Sequence, residues 1–331
     1  MNDPLLAVDD LRVLFHTPLG DVHALRGVSF ALARGRVLGL VGESGCGKTV
    51  TGRAIVGLVP APGEIVGGRI LFEGNDLLKL SERELRQIRG RRISMIFQDP
   101  SAALNPVFPI GQQIAEIMRQ HKVATSKGDL REKALALLSD VGLPSPDEIL
   151  DSYPHQLSGG MQQRAMIAMA LSSRPDLLIA DEPTTSLDVT IQAQILDLLI
   201  ELQLQTAISV ILVTHNMGIV AEACHEVAVL YAGCIVEFGS TRELFRHPSH
   251  PYTQGLLKAM PLPGNRRHSL KVIPGSVPSG LRPSPGCAFA SRCDSVMEVC
   301  RQFPPPMVAV ADGHRVACYL WATSSNGREN A

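Results

Sequence analysis

The chain has 331 residues, 45% of them hydrophobic, and 31 basic against 32 acidic side chains give a formal net charge of −1. That is enough apolar chain for one large domain or two smaller ones around a real core. Balanced charge and only 4% aromatics argue against a nucleic-acid surface, which needs a basic patch and stacking rings.

The N-terminal stretch MNDPLLAVDDLRV has no basic region followed by an apolar run, so it does not read as a signal peptide. RVLGLVGE (36–43) is a short apolar run that enters a glycine loop and reads as a buried strand. The loop, GESGCGKT, fits G-x-x-x-x-G-K-[ST], and the helical pattern VTGRAIVGLV follows it. In that context the backbone of Gly42, Glu43, Ser44, Gly45, Cys46 and Gly47 is expected to cradle phosphates. Lys48 reaches the β- and γ-phosphates and Thr49 holds Mg²⁺. The bland alternative is a chance turn.

RISMIFQ (92–98), DLLIAD (176–181) and SVILVTH (209–215) read as three more buried strands. With helical patterns such as DVTIQAQILDLLIELQLQ between them, they imply a largely parallel sheet with ligands at the carboxyl ends of its strands. Gln98, Asp181, Glu182 and His215 stand at those ends. Neighbouring strand residues point to opposite sides, so Asp181 can serve a metal shell while Glu182 activates water. Their alternatives are a solvated acidic turn and a satisfied core histidine. Residues from about 100 to 157 read as a helical insertion broken by LNPVFPIG and GLPSPDE. HQLSGGMQQRAMIAMAL (155–171) opens a second helix on Ser158, Gly159 and Gly160. Such a start is a ready phosphate site as well as an ordinary serine cap. The uncharged stretch 202–221 contains Gln203, Gln205, Thr214, His215 and Asn216, and so is too polar for a membrane span.

After about Met260 the composition turns rich in Pro, Gly and Ser, which marks a boundary. Cys287, Cys293, Cys300 and Cys318 follow, spaced C-x5-C-x6-C-x17-C. In a chain expected to stay in the cytosol, four such cysteines call for a metal more than for disulfides. Structural zinc sites usually pair their cysteines more closely than this. Four thiolates suit either tetrahedral zinc or an iron–sulfur cluster. Cys46, Cys224 and Cys234 read as packing or loop residues.

LSGGMQQR resembles the signature of ABC-type ATPases, and the order P-loop, FQDP, LSGGMQQR, LLIADEPTTSLD, VTHN matches that family over roughly residues 5 to 245. The resemblance implies a P-loop NTPase of α/β class: a mostly parallel core sheet, a helical insertion and a small cysteine-containing extension. It implies an ATPase domain over 1–260, with a helical subdomain over about 100–165, and an extension over 261–331. Gln98 is similar to the glutamine that senses Mg²⁺ and the membrane partner, Asp188 to the D-loop aspartate, and His215 to the switch histidine at the γ-phosphate. Phe15 is the candidate adenine-stacking ring. The helix start at 158–160 is expected to face the P-loop of a second subunit, so that two chains sandwich each ATP head to tail. Asn216 stands where the family usually has Asp, which removes a charge and keeps an acceptor.

The tail segments HPSHPYTQGLLKAMP, PGSVPS and PGCAFASRC, with MIFQDPSAALNP, resemble the ATPase subunits of dipeptide, oligopeptide and nickel permeases. That resemblance implies an ATPase that energises peptide import from the cytoplasmic face of the inner (plasma) membrane, to which it binds peripherally. The implied partners are a paralogous ATPase, two transmembrane permease subunits and a periplasmic or extracellular substrate-binding protein, with no nucleic acid. The alternatives are nickel or another solute as cargo, or a soluble ATPase of DNA repair or translation. The cysteine spacing matches relatives whose extension carries a 4Fe-4S cluster, so the implied cofactors are ATP, Mg²⁺ and that cluster.

Overall fold

The computed structural model describes residues 3–184, 188–260 and 273–325. The Thr185, Ser186 and Leu187 portion of the D-loop and the first residues of the extension lie outside these. The strands are β1 (Leu6–Thr17), β2 (Gly20–Leu32), β3 (Val37–Val41), β4 (Gly63–Phe72), β5 (Asn75–Asp76) and β6 (Ile93–Ile96). They continue with β7 (Leu177–Asp181), β8 (Ser209–Thr214), β9 (Glu226–Tyr231), β10 (Cys234–Ser240), β11 (Met307–Ala311) and β12 (His314–Ala317). The four apolar runs thus form strands where expected. Every residue of β3, β6, β7 and β8 is buried, as uninterrupted apolar strands should be.

The chain divides into two compact units, one built from residues up to Leu78 and from Val213 onward, the other from Lys79–Leu212. This division does not follow a boundary at residue 260: the cysteine-bearing extension belongs to the same unit as the P-loop. In that unit β3 runs parallel to β9, while β9–β10, β10–β12 and β12–β11 are antiparallel. The expected parallel sheet is therefore mixed, and the extension supplies two of its strands. A second, wholly antiparallel sheet has the order β2-β1-β4-β5. It was not legible as strands because β1 and β2 carry bulges that break the alternation of apolar residues.

In the other unit β6 pairs in parallel with β7. The expected insertion is helical, with helices Ile110–Gln120, Lys127–Asp140 and Gly159–Leu171 among its elements. Ile110, Ile114 and Met118 on the first, and Leu130, Ala134 and Leu138 on the second, recur every fourth position and are all buried. That spacing places an apolar stripe on one face of each helix.

Candidate functional site

β3 delivers the chain into the P-loop, and the helix Lys48–Ile55 carries it away. Three loop glycines have positive φ: Gly42 at 151°, Gly45 at 78° and Gly47 at 110°. Two of them are also fixed by close approach. A β-carbon on Gly42 would lie 2.2 Å from the Leu230 carbonyl oxygen, and one on Gly47 2.7 Å from a Leu25 methyl. The turn after β9 holds the loop from outside, since the Gly233 N–H donates to the Cys46 carbonyl at 2.9 Å. Lys48 is only 4% exposed, and its Nζ donates to the Gly42 and Glu43 carbonyls at 2.9 and 3.1 Å. The ammonium is thereby stored inside the loop whose phosphates it is expected to meet. Cys46 is buried, and its thiol is pushed upward by burial, which keeps it protonated and inert.

A residue that sequence reasoning did not single out supports this loop. The Glu43 N–H donates to the Tyr252 hydroxyl at 2.8 Å. Tyr252 is fully buried at the start of the helix Pro251–Lys258, which His250 caps through Nδ1. Below it, both Glu237 carboxylate oxygens accept the backbone N–H groups of Ser249 and His250, and His314 Nε2 bonds to Oε1 at 2.8 Å. HPSHPYTQ was legible only as a tail resemblance; its chemistry is to set a phenol under the P-loop.

Phe15 lies in β1, half-buried, with its ring edge against Gly63. His215 is exposed just after β8. Asn216 caps the helix Met217–Ala223, its Oδ1 accepting the Gly218 N–H at 2.9 Å. The acceptor expected to survive the loss of charge is thus in use.

In the second unit, Asp181 ends β7 fully buried. Glu182 follows with φ 45°, a left-handed conformation rare for a side chain of this kind. Gln98 is exposed beyond the end of β6, and its Nε2 donates to Glu182 Oε2 at 3.5 Å. The structure brings together two residues that are far apart in the chain. Ser158, Gly159 and Gly160 begin the helix Gly159–Leu171 at the surface, with Ser158 Oγ accepting the Met161 N–H. Asp188 is exposed at the start of the helix Val189–Thr206.

In the extension, Cys287, Cys293, Cys300 and Cys318 line one cavity together with His250 and Phe289. Burial raises Cys287 to about 11, and the other three thiols add to the rise; burial also raises Cys293 and Cys318. The thiols ring this space without closing on a point: among the described residues no three His, Cys, Asp or Glu side chains group tightly enough for a single metal ion. No helix among the described residues is long and apolar enough to cross a membrane.

Comparison with known proteins places these features in context. The family described as ABC transporter matches residues 25–185, and the one described as oligopeptide/dipeptide transporter, C-terminal region, matches 236–300. The chain is 50% identical over 319 residues to the dipeptide transport ATP-binding protein DppD of Bacillus subtilis, covering 96% of this chain and 95% of the relative. It is 49% identical to the oligopeptide transport ATP-binding protein OppD of the same organism, over 96% of this chain and 88% of the relative. DppD of Escherichia coli is 45% identical over 95% and 96% of the two chains. Among solved structures, the ATP-binding cassette MJ0796, described as dimeric, in a post-hydrolysis state and bound to ADP and Pi, is similar with TM-score 0.65 and 25% identity. That likeness covers 72% of this chain and 99% of the cassette.

Proposed function

This chain belongs to the ABC transporter family, in the branch of dipeptide and oligopeptide transport ATP-binding proteins, and on that premise we infer that it is the ATP-hydrolysing subunit energising peptide import. The observation that carries the reading is the match to DppD, which spans the ATPase motifs and the extension alike. Relatives this similar give no support to a role in DNA repair or translation.

The residue roles follow from the chemistry present. The P-loop backbone from Gly42 to Gly47 and the Lys48 ammonium bind the triphosphate, with Phe15 beside the base. Thr49, Gln98 and Asp181 are suited to hold Mg²⁺, which when bound neutralises and orients phosphate oxygens. Glu182 is the general base toward water, oriented by Gln98, and His215 meets the γ-phosphate. Ser158, Gly159, Gly160 and Asp188 serve the nucleotide of a second, paralogous ATPase subunit; Ser158, Gly159 and Asp188 are exposed, as such a role requires. Val107 and Phe108, 67% and 41% exposed beyond Gln98 in the chain, suit a docking surface for a permease subunit. Those partners set the subunit on the cytoplasmic face of the membrane, with a binding protein delivering peptide from the other side.

Glu182→Gln tests the central assignment. It keeps the shape and removes the base, so turnover of the assembled transporter falls about 10²–10⁴-fold while ATP still binds. Normal steady-state turnover would remove Glu182 from the role.

For the four cysteines we propose a 4Fe-4S cluster rather than zinc. A zinc ion with Zn–S bonds of about 2.3 Å needs its four sulfurs within about 4 Å of one another. Among the described residues no such close group is found, while the four cysteines line one cavity together, as the ligands of a multi-iron cluster would. Bound there, the cluster would hold the thiols as thiolates and cross-link a tail with little core of its own. Anaerobically purified protein should be brown and contain iron and sulfide, and Cys293→Ser should abolish both. A colourless preparation with stoichiometric zinc would replace the cluster by zinc.

A further inference from the structure

Arg292 lies between the second cysteine and the aromatic residues of the tail, and its side chain is 4% exposed. A guanidinium has five N–H donors, and here all five are engaged. Nε donates to the Pro274 carbonyl at 2.8 Å, and Nη2 to the Ile273 carbonyl at 3.1 Å. Nη1 donates to the Tyr231 hydroxyl at 3.3 Å. The remaining two form a fork on the P-loop: Nη1 to Glu43 Oε2 at 2.6 Å and Nη2 to Oε1 at 3.0 Å. The same cation lies 5.7 Å from the Tyr231 ring centroid and 5.9 Å from that of Phe289. Those rings pack edge-on with each other, and both pack against Tyr252, whose hydroxyl accepts the Glu43 N–H. Glu43 is therefore held at its backbone by one tail residue and at its carboxylate by another. The tail is itself tied to β2, where the His23 N–H donates to the Gly280 carbonyl at 3.0 Å and Arg26 to the Ser284 carbonyl at 2.9 Å.

Glu43 is an awkward residue in a phosphate-binding loop. Its carboxylate belongs to the same turn that receives a polyanion, and like charges at short range repel by several kcal/mol where water is partly excluded, about 4 kcal/mol at 4 Å for an effective dielectric of about 20. A bidentate guanidinium cancels that charge and fixes its direction. We propose that Arg292 is a positioning residue of the nucleotide site, which neutralises Glu43 and so lets the P-loop accept the triphosphate. It acts through Glu43 and does not touch the reacting atoms. The proposal rests on the P-loop being the ATP site, and it makes the cysteine-bearing extension a working part of that site.

The test is the KM for MgATP of the assembled transporter built from full-length chains, with direct binding of a fluorescent ATP analogue to the subunit. Arg292→Gln should raise KM and Kd about tenfold, the scale of losing a hydrogen-bonded charge pair, with a smaller change in kcat. Adding Glu43→Gln should return both to within about threefold of wild type, because the uncompensated charge is then gone. Arg292→Lys keeps the charge and loses the fork, so it should raise KM only about threefold, again reversed by Glu43→Gln. That variant carries the test where Arg292→Gln does not accumulate as folded protein. A residue that merely held the tail together would lower the melting temperature, and the double variant would be at least as impaired as the single. That additivity, or an unchanged KM in folded Arg292→Gln, overturns the proposal. A wild-type complex that neither binds nor hydrolyses ATP would instead overturn the reading beneath it.

Discussion

Two helix starts in this molecule are rich in glycine, and they are built in opposite ways. The one at Gly47 is enclosed by its own chain: Gly42, Cys46, Gly47 and Lys48 are buried, and β2 and the turn at Gly233 press on the loop. The one at Ser158 stands at the surface, with Ser158 and Gly159 exposed and a serine side chain supplying its cap. Both present backbone N–H groups that suit an anion. The first is a pocket completed by one chain. The second is a surface that becomes a pocket only when something is brought to it, as the proposed sharing of a nucleotide between two subunits requires.

The comparison can be broken most sharply at Lys48. Lys48→Ala removes the buried ammonium of the enclosed loop, and ATP turnover should fall about 10²–10³-fold, the scale of losing one charged stabiliser of the transition state. An ATPase assay reads this directly, and a variant with normal turnover would show that the enclosed loop is not the working site. Next in size is Ser158→Arg, which leaves that chain's own P-loop intact. In a complex of two distinguishable ATPase chains, Lys48→Ala and Ser158→Arg placed in the same chain should disable both composite sites. Placed in opposite chains, they should disable the same site twice and spare the other, so turnover should be about tenfold or more higher than in the same-chain arrangement. The reverse order would mean that the exposed start serves its own chain, and equal turnover would remove it from either role.

The smallest effects are on stability. Gly47→Ala forces a β-carbon to φ 110° and against Leu25, and should cost about 1–3 kcal/mol in chemical denaturation. Ser158→Ala only removes a cap and should cost about 1 kcal/mol. Reversal of that order would show that the enclosed loop is less constrained than its packing indicates.

Much of the site was legible because its chemistry is local. A P-loop declares itself by the glycines that its turn needs and the lysine that its phosphates need, all within eight residues of chain, and the apolar strands before Gln98, Glu182 and His215 announce themselves by composition. The short order of these motifs carried the family resemblance as well. What stayed hidden depends on pairing across long stretches. In β1 the buried residues run Leu6, Val8, then Leu11, Val13, because a bulge at Asp10 with φ 48° shifts the alternation by one. No simple period survives that shift, so the antiparallel sheet does not show in the sequence.

By itself, then, the sequence determined the nucleotide chemistry, the helical insertion and the presence of a four-cysteine tail, since each is written in residue types and short spacings. Only the tertiary structure decided what the tail does. Its strands β11 and β12 are short, the side chains of β11 are largely exposed, and a boundary rich in proline and glycine precedes it, so its sequence reads as an appendage. Folding instead lays β12 against β10, gathers the cysteines around one cavity and sets Tyr252 and Arg292 on Glu43. A contact between residues 43 and 292 has no local signature. It exists because folding brings together opposite charges from two segments far apart in the chain, a buried guanidinium and a partly buried carboxylate.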